Sequence, residues 1–235
     1  MKYWLNNYVN QEWKDKYIRS FVSLAGNNFK IIKTILIIYF KIMIQKIKAA
    51  WAGSTKTYIA MASGYNLGIP FVNPLSARQI QRASSANVFL LPSSKFWSPD
   101  DIIMSRPSRN YTVNDYQQFF QDIGYEIGYE IHKDTKDLIY DLNPPNVEMH
   151  CLYGYNVSTG DRYIYDNDKT FPDVQPKIIY GNGDGTVNYK SLIAYKTWIG
   201  KQSQDIKYEE YNGVEHTDLL KYQPAIDYIL NLLKN

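Results

Sequence analysis

From His150 onward the sequence alternates short apolar runs with helical stripes, and this alternation constrains the fold more than any other feature. His150–Tyr155 (HCLYGY) reads as a buried strand ending in a glycine turn. Tyr163–Tyr165 is expected to hairpin back toward it, and Lys177–Tyr180 (KIIY) is a further strand, followed at once by the turn GNGDGTV. Asn188–Ile199 places Leu192, Tyr195, Trp198 and Ile199 on one helical face, and Ile206 and Tyr208 alternate as in a strand. The final helix carries Pro224 at a permitted early position, with Ile226, Ile229, Leu230 and Leu233 as its apolar stripe. Strand, helix, strand, helix predicts an α/β sheet with crossover helices.

The rest of the chain is read in the same way. Gln11–Tyr17 is helix-compatible and Ile18–Leu24 is strand-like. Trp51 to Pro92 holds short helical patterns broken by Gly64, Gly68, Pro70 and Pro74, and Asn87–Leu91 is an apolar run. Phe96–Arg109 reads as loop, and Thr112–Ile123 as a helix that Thr112 caps. The length, 235 residues, suits one substantial domain or two small ones, and 45% hydrophobic residues exclude wholesale disorder. A single cysteine excludes an internal disulfide framework and a Cys-built zinc site. His132, His150 and His216 are too scattered for a helical metal face, so neither metal nor cofactor is expected. The glycines at 181, 183 and 185 make neither G-x-G-x-x-G nor a phosphate loop.

Net charge is +3, but Asn27–Lys48 alone holds five lysines and no acid. Without it the balance is 21 − 23 = −2, which gives no electrostatic case for a nucleic-acid partner. Three readings compete for this atypical Lys/Ile-rich insertion: translated non-coding sequence, a basic amphipathic surface helix, or a membrane span. Its longest uninterrupted apolar run, Ile35–Phe40, is far short of the roughly 20 residues a span needs. Its residues have AT-rich codons, which favours the first reading. The opening residues show no signal peptide.

Two positions carry candidate chemistry. Asp184 lies in a glycine-rich turn after an apolar strand, where ligands and catalytic groups gather in open α/β sheets. His216 lies in a turn after the next strand, before a helix that Thr217 or Asp218 is placed to cap. Each alone reads more simply as a polar turn residue. Together they follow the last two-thirds of the Ser…Asp…His order of α/β-hydrolases. If so, the Asp184 carboxylate should lie within hydrogen-bond reach of one His216 ring nitrogen, with the other nitrogen facing a gap near the N-terminal residues. No G-x-S-x-G elbow occurs in the chain, and Ser54 and Ser63 lack elbow context.

The segments WKDKYIRSFVSLAG, WAGSTK, ASGYNLGIP, FLLPSSKFWSP, NYTVNDYQQFFQDIGYE, PPNVEMHCLYGYNV, PKIIYGNGDGTVNYKSL and GVEHTDLL resemble the C-terminal half of the lysosomal phospholipase A2 and lecithin:cholesterol acyltransferase family. The resemblance covers nearly the whole chain except Asn27–Lys48. It implies one α/β-hydrolase domain, of which residues 1–235 are the C-terminal strands and helices, with much of a cap at about 63–149. The implied activity is transfer of a fatty acyl group from a glycerophospholipid at a membrane surface to water or a lipid alcohol. Asp184 and His216 match the family's triad aspartate and histidine, and Phe89, Leu90, Leu91, Phe96 and Trp97 suit an acyl tail. Asn110-Tyr-Thr and Asn156-Val-Ser are glycosylation sequons, consistent with a lysosomal or secreted parent.

The chain departs from the family pattern in three ways. The nucleophile is absent, both oxyanion-hole contributions are absent, and Tyr195 stands where the family carries the cysteine that pairs with the counterpart of Cys151. Cys151 is then a buried free thiol or mispaired. The rival to a serine-dependent acyltransferase is a catalytically inactive fragment that binds lipid or a partner. Because eight isoleucines in one exposed stretch invite aggregation, deletion of Asn27–Lys48 is expected to raise the soluble fraction on expression. A deletion that yields only aggregate beside a soluble parent would show that the segment is structural.

Overall fold

A computed structural model describes residues 2–24, 42–45, 50–66, 69–140 and 143–234, with the backbone alone for 42–45, 139 and 140. Among the described residues eight strands are interspersed with helices: β1 Ser20–Leu24, β2 Ile42–Gln45, β3 Met104–Arg106, β4 Arg109–Tyr111, β5 Met149–Tyr155, β6 Val157–Ile164, β7 Lys177–Gly183 and β8 Ile206–Asn212. The chain divides into two compact units: Met1–Trp51, Leu142–Ser158 and Asn182–Asn235 form the first, Ala52–Asp141 and Thr159–Gly181 the second. The result is a mixed α/β protein with one parallel and one mixed sheet.

The sheet of the first unit has the order β2-β1-β5-β8, and every neighbouring pair is parallel. All of β1 is buried, and β5 is buried up to Tyr155, as a parallel sheet covered on both faces requires. The register sets Cys151 beside Ser23 on one side and Tyr208 on the other. The edge strand β8 instead carries Lys207, Glu209 and Glu210, charges that discourage further strand pairing. The other edge, β2, comes from the Lys/Ile-rich insertion, and none of its three sequence readings anticipates a strand there. The rest of the insertion lies outside the described residues. Asn10 caps the Gln11–Tyr17 helix through its side-chain oxygen, 2.9 Å from the Trp13 amide.

His150 is a structural residue. Its Nδ1 meets the Tyr228 hydroxyl of the Gln223–Lys234 helix at 2.7 Å, and its Nε2 meets Glu148 at 3.1 Å. Burial pushes its pKa down, partly offset by Glu148. Cys151 is a buried free thiol whose pKa burial raises, so it is not poised for reaction. Asn188–Ile199 is not one helix but a turn of α-helix, Tyr189–Leu192, followed by a 3-10 segment, Ala194–Trp198. Leu192, Tyr195 and Trp198 are still buried, while Ile199 is exposed.

The second unit corrects three sequence expectations. The stretch Phe96–Arg109 is not all loop: β3 and β4 form an antiparallel hairpin with Met104 opposite Tyr111. Pro107, which argued for loop, falls in its turn. Tyr163 lies in β6, which pairs parallel with β3 rather than returning along β5. Thr112 does not cap a helix. Its amide and hydroxyl both donate to the Asp115 carboxylate, and the helix begins at Tyr116. Tyr58, Tyr111, Phe119 and Phe120 form an aromatic core, with the Tyr58 and Phe119 rings 4.5 Å apart. Among the described residues no helix is long and apolar enough to cross a membrane.

His132, on the Ile127–Tyr140 helix, packs against the Tyr116 ring at 4.5 Å. Burial, with help from Lys136 and against Asp137, lowers its pKa to about 4. The unfolded ring binds its proton near pH 6.5 and the folded ring holds it off until about 4, so this component of stability is lost as pH falls through that window. Between pH 7 and 4.5, urea denaturation is expected to show the parent losing about 1–2 kcal/mol more than His132→Phe, a figure discounted for the ring's partial exposure. Equal losses would refute the assignment.

Candidate active site

Asp184 does not follow a strand of the parallel sheet, as the sequence suggested. It follows β7, which belongs to the mixed sheet and leaves Ile179 and Tyr180 exposed. The chain enters the first unit at Asn182, where Gly183 bridges to Asn188 and Asp184 to Val157. The turn that follows is built by the aspartate itself. Its Oδ1 accepts from the Thr186 amide at 3.0 Å and the Val187 amide at 2.8 Å. Gly185 sits at φ +83°, a left-handed conformation that suits glycine.

His216 arrives from the other direction, after β8. The turn at its root is pinned to the parallel sheet by the Gly213 amide donating to Tyr155 O at 2.8 Å. The Val214 carbonyl then passes so close to Gly154 that a Cβ there would lie 1.8 Å from its oxygen. Beyond it the two turns join twice. The His216 amide donates to the Asp184 carbonyl at 2.7 Å, and His216 Nδ1 lies 2.7 Å from Asp184 Oδ2. A carboxylate only accepts, so Nδ1 carries the hydrogen and Nε2 keeps a bare lone pair in the neutral ring. Asp184 is 0% exposed and His216 1%. Nε2 is itself buried and has no hydrogen-bond partner among the described residues. Thr217 makes no side-chain cap to the following 3-10 segment Asp218–Lys221.

The constellation can hold an imidazole in one tautomer, stabilise its cation and present a base. Of the two serines singled out in the sequence, Ser54 Oγ accepts from the Lys56 amide at 3.3 Å and Ser63 Oγ bonds the Tyr165 hydroxyl, both within the second unit. Ser23 lies inside β1 rather than on a turn. Among the described residues no group of three or more metal-ligating side chains occurs.

The lecithin:cholesterol acyltransferase family profile matches residues 38–223. The human protein "Lysosomal phospholipase A and acyltransferase" is 39% identical over 223 residues, 95% of this chain and 48% of its own length. The chicken "Phosphatidylcholine-sterol acyltransferase" is 37% identical over 211 residues, 89% of this chain and 45% of its own. The chain belongs to the lecithin:cholesterol acyltransferase family. It spans about half the length of the curated relatives it matches.

Other positions that the family resemblance singled out are distributed as follows. Phe89 and Leu91 line a cavity within the second unit, Trp97 is buried, and Leu90 and Phe96 are half-buried. Asn110 is exposed on β4. Asn156 is exposed at φ +61°, its side-chain amide donating to Asn212 at 3.0 Å. Tyr195 is buried and shares a 3.1 Å hydroxyl contact with Tyr153 in place of any disulfide to Cys151.

Replacing Asp184 by alanine removes the acceptor of two amides and of a buried ring nitrogen. Asp184→Ala is expected to lose about 3–5 kcal/mol of stability, and Asp184→Asn about 1–3, by urea denaturation. A loss below about 0.5 kcal/mol for the alanine variant, ordinary for a surface change, would contradict the geometry.

Proposed function

We propose that the chain is the C-terminal part of a lipid acyl hydrolase and O-acyltransferase, supplying two members of a Ser-Asp-His triad. In this reading the first unit is the C-terminal portion of an α/β-hydrolase sheet. The second unit, Ala52–Asp141 with Thr159–Gly181, is the cap. The observation that carries the reading is the contact: His216 Nδ1 lies 2.7 Å from a fully buried carboxylate oxygen, and Nε2 has no partner among the described residues.

The nucleophile is a serine outside these 235 residues, since none here stands on an elbow. As its Oγ bonds to the acyl carbonyl carbon of a glycerophospholipid, Nε2 takes the hydroxyl proton and Asp184 stabilises the imidazolium. The imidazolium returns that proton to the departing glycerol oxygen, leaving an acyl-serine. Water or a lipid alcohol, deprotonated by the same Nε2, then releases the acyl group as acid or ester. Phe89, Leu90, Leu91, Phe96 and Trp97 supply apolar wall for the acyl tail, and the substrate is met at a membrane surface. Asn110 and Asn156 carry glycans in a lysosomal or secreted parent. The rival reading, a lipid-binding module without catalysis, is favoured by one observation, the absent elbow, and applies to the chain on its own.

The test joins the chain to the first half of the human lysosomal relative and follows fatty acid release from phosphatidylcholine vesicles, with and without a lipid alcohol. The isolated chain is expected to stay at background, and the chimera to turn over. His216→Ala should cost the chimera about 10³-fold or more. A soluble chimera whose turnover is indifferent to His216→Ala would falsify the catalytic assignment.

A further inference from the structure

The second unit holds a half-open cavity of about 280 Å³ whose lining is part apolar and part basic. Val88, Phe89 and Leu91 together with Val113 and Tyr116 give it apolar surface, with Ser93, Ser94, Asn114 and Gln117 interspersed. The basic part comes from one face of the Ile127–Tyr140 helix and presents His132, Lys133 and Lys136. No aspartate or glutamate lines the cavity, although the same helix carries several. Lys133 is committed to Glu130 at 2.7 Å. Lys136 is exposed and makes no ion pair among the described residues.

We infer that this cavity binds a single-chain fatty carboxylate, its alkyl tail against Phe89, Leu91 and Tyr116 and its head toward Lys136. The volume sits at the lower edge of small-ligand sites, too small for a two-chain lipid. A free inorganic anion would leave the apolar surface facing water, and a neutral alcohol would leave the lysine without a counter-charge. Only an amphiphile with one negative end uses both parts of the lining. The alkyl tail rests on the lipid reading proposed above, whereas the anionic head rests on the cavity itself.

The probe is decanoate, titrated calorimetrically into the full chain, with decanol as the neutral comparison. Decanoate is expected to bind at one site and more tightly than decanol. Lys136→Glu, a change at an exposed position, should weaken decanoate about threefold to tenfold and leave decanol unchanged, with the near-ultraviolet circular dichroism of the parent retained. Asn114→Trp, at the exposed rim, should obstruct both ligands. No decanoate binding, equal affinity for decanol, or decanoate binding indifferent to Lys136→Glu would each overturn the proposal. Phe89 and Leu91 are also placed in the acyl wall proposed above, so the two readings are separated by the chimera: loss of turnover on His216→Ala tests the Asp184–His216 pair, whereas decanoate binding to the isolated chain tests the cavity.

Discussion

A carboxylate withdrawn wholly from water must have its oxygens engaged, and Asp184 meets that demand with three donors drawn from two turns. The backbone amides of Thr186 and Val187 close one turn around Oδ1, and the imidazole of His216 brings the other turn to Oδ2. The main-chain bond from His216 to the Asp184 carbonyl then fixes the spacing of the two segments. Much of the first unit's arrangement serves this one group. The parallel sheet sets where β8 ends, β5 supplies the glycine over which the His216 turn passes, and β7 returns the chain at Asn182. Disturbing any of these leaves a charge or a ring nitrogen buried without its partner.

Strands with a single environment were legible. β1 and β5 are buried along nearly their whole length, so their apolar runs were direct evidence of strand. Elements whose partners are remote in sequence were not. The β3–β4 hairpin hid behind Pro107, because a proline in a turn and a proline that forbids a strand look alike in one dimension. The Ile127–Tyr140 helix carries scattered charges and a weak stripe, and it gave no sequence signal strong enough to delimit it. The pairing of β6 with β3 across about sixty residues is a tertiary choice that local periodicity does not encode.

The candidate site was legible as order along the chain and not as geometry. Aspartate in a glycine turn and histidine beyond the next strand suggested the pair, and the tautomer followed only from coordinates. The sequence also misplaced the route by which Asp184 arrives. β7 reads as apolar, yet Ile179 and Tyr180, on opposite faces of the strand, are both exposed. Nothing in the sequence marked the second bond between the turns, because a backbone amide carries no side-chain signature.

The close passage of Val214 over Gly154 has a consequence for how this protein tolerates change. The residue touches no reagent, bears no charge and lies within a strand, so a chemist surveying the site would overlook it. Yet one added methyl group would have to displace the carbonyl two residues before the imidazole. Loss-of-function variants should therefore collect at a position defined by the absence of atoms. The constraint there is clearance: any side chain beyond hydrogen meets the Val214 carbonyl, although glycine itself does no chemistry.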